Sequence, residues 1–490
     1  MAILAIDAGT TGVTALVVSA QGEIVARGYT EFEQHFPSPG WVEHDPQQIW
    51  NATLNSCKQA LDASPLTPIA IGITNQRETA VVWDRKTLES PTRAIVWQDR
   101  RTADLTDQLQ QLNPGDWIRY RTGLKLDPYF TSSKFLWWKK NLPEVWAGVE
   151  SGRYALGTVD SYLAARISGG SLHITDATNA SRTQLMNLET ANWDPELLAA
   201  FGIPLAALPE IVSNWGNYGN SDPDHFLGQT LPITGMAVDQ QAALFGQCGY
   251  EVGDSKATYG TGAFILTNTG NQISHSEHGL LATMAYQDPS GKNVYAIEGS
   301  VFVAGAAVQW LRDSLKIIEK SSEVEALASQ AGSSGGAVFV QALTGLGAPF
   351  WDPEARGSIL GITRGTTDSN LAFATLEAIA FSVQAVLAAM EQDLGKPLTQ
   401  LKVDGGAAAN NLLLQIQADA SKTQVVRAKN LESTGFGAAL LAGLGIGMFN
   451  SLEDLAKLNP AQARFDPKQD RSAEYDRWLR AIEVSRSFQN

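Results

Sequence analysis

Residues 4–18 read LAIDAGTTGVTALVV. Two apolar runs rich in aliphatic and β-branched residues flank Asp7-Ala8-Gly9-Thr10-Thr11-Gly12. The pattern predicts strands over 3–7 and 13–18 joined by a tight turn, in which Gly9 and Gly12 take the positive φ angles a hairpin demands. Glycine and threonine alone would make that turn. Asp7, however, ends an apolar strand that reads as buried, where a lone carboxylate is costly unless it is paired or holds a cation. Two readings follow: a hairpin whose Asp satisfies local N–H groups, or a phosphate-cradling turn with the carboxylate directed at Mg²⁺.

The same design recurs past the middle of the chain. KATYGTGAFILTNTG at 256–270 again places a Gly-Thr-Gly turn between two apolar strands, which predicts a distant internal duplication with one such turn per half. A third glycine turn, Asp404-Gly405-Gly406 in LKVDGGAAANNLLLQIQAD, leads into an apolar-periodic helix whose N-terminus could hold a phosphate or a nucleotide edge. Further strand-like runs at 23–28 and 69–73 alternate with helical ones such as 46–62, which opens on Asp45-Pro46, an N-cap followed by Pro. This is an α/β pattern. The segment 371–394 reads as a long Ala-rich core helix, 214–230 as an exposed polar loop, and the tail beyond about 459 as charged and helical. The repeat sets a boundary between 1–247 and 248–490.

At 490 residues the chain exceeds the ~250–300 at which a single core stops growing, so two domains with a ligand site between them are expected. The formal charge of −15, with no Lys/Arg run to offset it, argues against nucleic acid or an anionic membrane surface as partner. An anionic ligand must then be held by backbone N–H groups, a metal or a few placed cations. Cys57 and Cys248 are too few for a disulfide framework and read as buried thiols in a reducing compartment, the cytoplasm. No apolar stretch is expected to reach the ~20 residues of a membrane span. Neither Gly291-Lys292 nor Gly395-Lys396 is followed by the Ser or Thr of a Walker A loop, and no GxGxxG follows the first strand.

Polar residues gather where apolar runs end. GITNQRETAVVW (72–83) sets Arg77 and Glu78 between two strands, either as a structural ion pair or as a clamp matched to the donor and acceptor character of neighbouring hydroxyls. Trp97 and Tyr129 suit a polyol, offering an apolar face and a polar tip, and would equally suit the core. Asp239 follows an apolar strand and precedes Gln240 and Gln241. It is either a helix N-cap or a general base for a hydroxyl nucleophile.

Taken together, GWVEHDPQQIW, ITNQRET, AIVWQDRRT, LDPYFTSSK, GTVDSYL, TDATNASRT, VDQQAALFGQ, TYGTGAF, TGLGAPFWDPEARG, ILGITRG and VDGGAAANN stand in one order that resembles the FGGY carbohydrate kinases, in particular their glycerol-phosphorylating branch. The resemblance runs over nearly the whole length. It implies two ribonuclease-H-like domains of the actin and sugar-kinase superfamily closing over ATP and substrate, with 4–18 and 256–264 as the two phosphate-binding hairpins. Carried over by position, Arg77, Glu78, Tyr129, Asp239 and Gln240 would hold the hydroxyls of glycerol, and Trp97 and Phe264 would pack its C–H face. Asp239 would be the general base. Thr10, Thr11, Gly12, Thr261 and Gly262 would line the triphosphate, while Gly305, Gln309, Gly406 and Asn410 would meet the rest of ATP. Asp7 would position Mg²⁺ through water, with Asp239 close by.

Where members acting on glycerol commonly carry Ser-Ser-Arg, this chain has Gly12-Val13-Thr14, closer to the pentulose kinases. The alternatives are thus a kinase for another polyol or ketopentose, or a non-catalytic actin-like nucleotide switch. The loop at 220–230 lacks the Gly-Gly-Thr-Arg of a fructose-1,6-bisphosphate site. His225, in DHFLGQT, is either a solvated loop histidine or, as the resemblance implies, the counterpart of a histidine that in bacterial members accepts a phosphoryl group from a phosphotransferase-system phosphocarrier. The family also leaves room for a homo-oligomer.

Overall fold

The computed structural model describes residues 1–112 and 116–488. The stretch at 4–18 forms the hairpin expected of it, the strands Ala2–Ala8 and Gly12–Ser19, which pair antiparallel with Ala8 opposite Val13. A third antiparallel strand, Ile24–Glu31, extends the sheet on one side. On the other side Pro68–Asn75 and then Pro232–Met236 add in parallel. The second half repeats this arrangement. Ser255–Tyr259 and Ala263–Gly270 form its hairpin, Asn293–Val301 adds antiparallel, and Gln400–Asp404 and Gln424–Ala428 add in parallel. Two sheets with one topology confirm the duplication and the ribonuclease-H-like fold.

Helix Pro46–Ala63 opens as its sequence indicates, with the Asp45 carboxylate accepting from Gln47 N at 2.8 Å. Helix Ser433–Gly445 belongs to the second half of the chain yet packs on the first sheet. Its small residues allow this. A Cβ on Gly72 would lie 2.3 Å from the Ala438 carbonyl oxygen, and one on Gly437 1.9 Å from that of Ala242. The helix therefore ties the base of the first sheet to helix Asp239–Gly246.

Three expectations need correction. The first is that no apolar stretch reaches the length of a membrane span, since helix Asp368–Leu394, read as a core helix, is long and apolar enough by length and composition. It is a core helix, with 83 % of its apolar window buried in the protein. Within the expected loop at 214–230, Trp215–Asn220 forms the edge strand of the first sheet, antiparallel to Pro232–Met236. An edge strand pairs on one side only, so a Gly- and Asn-rich sequence is tolerated there. The C-terminal tail is more than a charged helix: Ala461–Phe465 completes the second sheet, and helix Ser472–Ser487 buries Trp478 and Ile482.

Candidate active site

The hairpin turns are built by close approach more than by unusual backbone. Neither Gly9 nor Gly12 adopts positive φ, contrary to expectation. Gly12 is needed because a Cβ there would lie 2.7 Å from the Thr30 carbonyl oxygen on the neighbouring strand. In the second turn Gly260 and Thr261 are exposed, and the start of helix Gly305–Asp313 sits directly on it. Ala304 N and Ala306 N donate to the Thr261 carbonyl at 2.8 and 3.1 Å, and Gly305 N donates to that of Gly260 at 2.9 Å. The amide of Gly305 is thus committed to the protein. What its lack of a side chain supplies is proximity, since a Cβ would lie 2.6 Å from the Gly260 carbonyl oxygen.

The third turn does take a special conformation, with Gly405 at φ +84° packed against the Tyr259 backbone. The helix expected straight after it is delayed by a 3₁₀ turn, Gly406–Ala409. Asn410 then caps helix Asn411–Ser421, its side-chain oxygen accepting from Leu413 N at 2.9 Å. Its amide N–H₂ and the second lone pair of the oxygen remain for another partner. Gly406 and Gln309 are exposed.

Trp97 joins the first turn to the second half of the molecule. Its indole N–H donates to Thr10 Oγ1 at 3.0 Å, and its ring meets Tyr129 and Phe264 edge-on at centroid distances of 5.7 and 6.3 Å. Beyond strand Pro68–Asn75 the chain turns sharply, Thr79 N donating to the Arg77 carbonyl at 2.7 Å and Glu78 held at φ +57°. A non-glycine residue in that region is strained, and such strain concentrates at functional sites. The turn delivers Arg77 and Glu78 together. Arg77 Nη2 donates to Tyr129 Oη at 3.2 Å, its Nε lies 3.3 Å from Asp239 Oδ1, and its guanidinium stands 5.3 Å from the centre of the Phe264 ring.

Asp239 is not the N-cap that one reading allowed. Val238 holds that position, and Asp239 is the first residue inside the helix, its Oδ1 accepting from Gln240 N at 2.6 Å. About a quarter (26 %) of its side chain remains open. Burial raises its pKa above the ordinary carboxylate value, against the pull of Arg77 and Lys256. A carboxylate that is accessible, raised and beside a hydroxyl-matched Arg is suited to accept a proton.

Asp7 stands one strand away, opposite Thr14 and Thr74 in the ladder. Burial and the like charges of Asp239 and Glu432 push its carboxyl up to about 8. Such a group stores repulsion that folding must overcome. Because the folded value is raised from 3.8, the penalty is absent below about pH 4 and grows as pH rises toward 8. Asp7→Asn is therefore expected to stabilise the ligand-free protein by about 1–2 kcal/mol at pH 7.5 and to flatten this pH dependence, while lowering activity. Thermal unfolding at pH 5 and 7.5 checks it, and equal stability at both would show that the carboxylate is not under strain.

The sequence reading missed four residues. Arg182 and Glu298 are fully buried, and Arg182 Nε donates to Glu78 Oε1 at 2.7 Å. Lys256, buried, donates to Gln240 Oε1 and, at 3.0 Å, to Thr258 Oγ1, with its ammonium lowered to about 8 by burial. Lys134 donates to the carbonyls of Pro128, Tyr129 and Phe130 at 3.1, 2.6 and 3.1 Å and so fixes the loop carrying Tyr129. For Glu298 a single charge inside the apolar run VYAIEGSV was the available signal. His225 is exposed in the turn before Pro232–Met236, beside Asp222 and Gly169, and is not part of this pocket.

Comparison with known proteins agrees with this geometry. The N-terminal domain of the FGGY family of carbohydrate kinases matches residues 2–246, and the C-terminal domain matches 255–446. The chain belongs to the FGGY family. A glycerol kinase of Carboxydothermus hydrogenoformans is 46 % identical over 99 % of this FGGY kinase and 98 % of the relative. One of Saccharolobus islandicus is 48 % identical over 98 % and 96 %. Among solved structures, Plasmodium falciparum glycerol kinase with ADP superposes with a TM-score of 0.91 at 35 % identity, covering 99 % of this chain and 98 % of that one. A xylulose kinase of Lactobacillus acidophilus shares the fold at TM-score 0.87 and 22 % identity, covering 100 % of this chain and 98 % of its own.

Proposed function

We infer that this FGGY kinase transfers the γ-phosphoryl group of ATP to glycerol, giving sn-glycerol 3-phosphate. The observation that carries the reading is the partly exposed Asp239 carboxylate, 3.3 Å from Arg77 and beside the rings of Trp97, Tyr129 and Phe264. The guanidinium of Arg77 and the free Oε2 of Glu78, which is buried without a partner, offer a donor and an acceptor to adjacent hydroxyls. Gln240, next to the base, offers its amide to the same ligand. Asp239 takes the proton of the primary hydroxyl as that oxygen bonds to the γ-phosphorus and the bond to the ADP oxygen breaks. The ring faces of Trp97 and Phe264 cover the carbon chain and exclude water that would otherwise accept the phosphoryl group.

The two turns, with Thr10, Thr11 and Gly12 on one side and Thr261 and Gly262 on the other, suit the triphosphate. Gly305, Gln309, Gly406 and Asn410 suit the remainder of the nucleotide. Asp7 fits a Mg²⁺ role, with Asp239 near it, because a cation would offset the burial and the like charges that raise its carboxyl. Among the described residues no three carboxylate, imidazole or thiolate groups form a ready-made metal cage. This agrees with Mg²⁺, which is usually held by one or two carboxylates plus substrate phosphates and water. When bound, the ion would supply charge neutralisation at the phosphates.

On this reading 1–247 carries the substrate pocket and first turn, and 248–490 the second turn and nucleotide edge, with helix Ser433–Gly445 returning to the first sheet. Both thiols are buried and free, which suits a reducing, ATP-supplying compartment such as the cytoplasm. The exposed His225 is accessible to a protein phosphodonor. A phosphotransferase-system phosphocarrier is expected to label the wild type above a His225→Ala control, and equal labelling would dismiss the site.

The deciding experiment is coupled ADP release from MgATP with glycerol, xylulose, ribulose, erythritol and dihydroxyacetone. A clear kcat/KM preference for glycerol is expected. Preference for a longer sugar would move the substrate, and release with none would bring forward the nucleotide switch.

A further inference from the structure

Glu298 lies in mid-strand, paired with Leu266 on one side and Leu281 on the other, in the second sheet. A carboxylate at the centre of an apolar ladder needs strong partners. They come from the other half of the molecule. Arg77 Nη1 donates to Glu298 Oε2, and Arg182 Nη2 donates to Oε1 at 3.3 Å. Arg182 in turn bonds Glu78, whose Oε1 lies 3.7 Å from Arg77 Nε. Two guanidinium groups and two carboxylates thus close a neutral ring beneath the pocket. Although burial works against it, the pull of Arg182 and Arg77 holds the Glu298 carboxyl down at about 2, so it stays charged.

The ring decides which way Arg77 points. Its guanidinium reaches Glu298, Tyr129 and Asp239, and without Glu298 the nearest fully charged partner on its free edge is Asp239, at 3.3 Å. A further shift toward Asp239 would turn the single Nε contact at 3.3 Å into a tighter, two-nitrogen ion pair over the hydroxyl site and weaken the base. We propose that Glu298 is a positioning residue that holds Arg77 toward the polyol and limits its pairing with Asp239 to the single Nε contact at 3.3 Å, so that the pocket stays open to a hydroxyl ligand. This rests on the glycerol-kinase reading and would make a residue of the second half determine polyol affinity in the first.

The test compares wild type, Glu298→Gln and the double variant Arg182→Gln/Glu298→Gln. Wild-type ADP release with glycerol is measured first, since its failure would retire the functional reading and not this one. Glu298→Gln is expected to raise the glycerol KM about 10- to 100-fold, with the ATP KM changed less than about 3-fold. The acid limb of kcat/KM should also move to lower pH. The groups facing Asp239 are Arg77, Lys256, Asp7 and Glu298. Removing the Glu298 charge and bringing Arg77 closer both favour the ionised form.

If the single variant fails to fold because a guanidinium is left uncompensated, the double variant decides, since it removes one charge of each sign. It should fold and keep both the raised KM and the moved limb. A folded variant, single or double, with wild-type glycerol KM and an unmoved acid limb would reduce Glu298 to a structural ion pair and overturn the proposal.

Discussion

Asp239→Asn is expected to lower kcat by ~10²–10⁴ while changing the glycerol KM by no more than about 3-fold. The amide keeps the shape of the side chain and an oxygen able to accept from Gln240 N, now at 2.6 Å. It can still lie beside Arg77. What it loses is the ability to take a proton, which is needed only as the hydroxyl oxygen attacks, so the loss falls on the transition state and not on binding. The pH profile gives a second readout. Burial raises Asp239 above its ordinary value, so the wild-type kcat/KM should fall as pH drops through that raised value, and the variant should show no such limb. Steady-state ADP release at saturating glycerol and MgATP measures both. An Asn variant with wild-type kcat would mean that the base lies elsewhere.

Arg77→Ala is expected to act mainly on binding, raising the glycerol KM by ~10²–10⁴. Hydrogen bonds to a charged group contribute ~1.5–3 kcal/mol each, and losing a guanidinium removes two donors from adjacent hydroxyls. The variant should also lose ~3–5 kcal/mol of stability, because Glu298 is left fully buried without one of its two guanidinium partners. Arg77→Lys should recover little of either. A single ammonium cannot replace a planar fork that engages Glu298 and Tyr129 on two nitrogens while a third faces Asp239. Glycerol kinetics with thermal unfolding of the same samples separates the two effects, and an unchanged KM would place the polyol pocket away from Arg77.

The sequence of this chain determined the local designs. Alternating apolar strands, glycine turns at 9–12 and 260–262 and the Asp45-Pro46 helix start are set by neighbours within a few residues, so periodicity and turn chemistry predict them. Ordered motifs also identified Arg77, Glu78, Trp97, Tyr129, Asp239 and Phe264, which the fold brings together. Gly9 and Gly12 were read correctly as a turn but for the wrong reason, since neither takes positive φ and the constraint on Gly12 is the Thr30 backbone on the next strand.

Only the tertiary structure decided the rest, because those features depend on partners far apart in the chain. Arg182 and Glu298 are 116 residues apart, and each alone reads as a charge in an apolar setting with no sign of its partner. Helix Asp368–Leu394 was legible as a core helix, but its composition also passes for a membrane span, and the cover of the second sheet and its neighbours is what separates the two. The polar run at 215–220 becomes a strand because Pro232–Met236 offers it an edge. Local chemistry specifies the elements and the reactive groups, while burial and long-range pairing set the ionisation of those groups and the direction in which Arg77 faces.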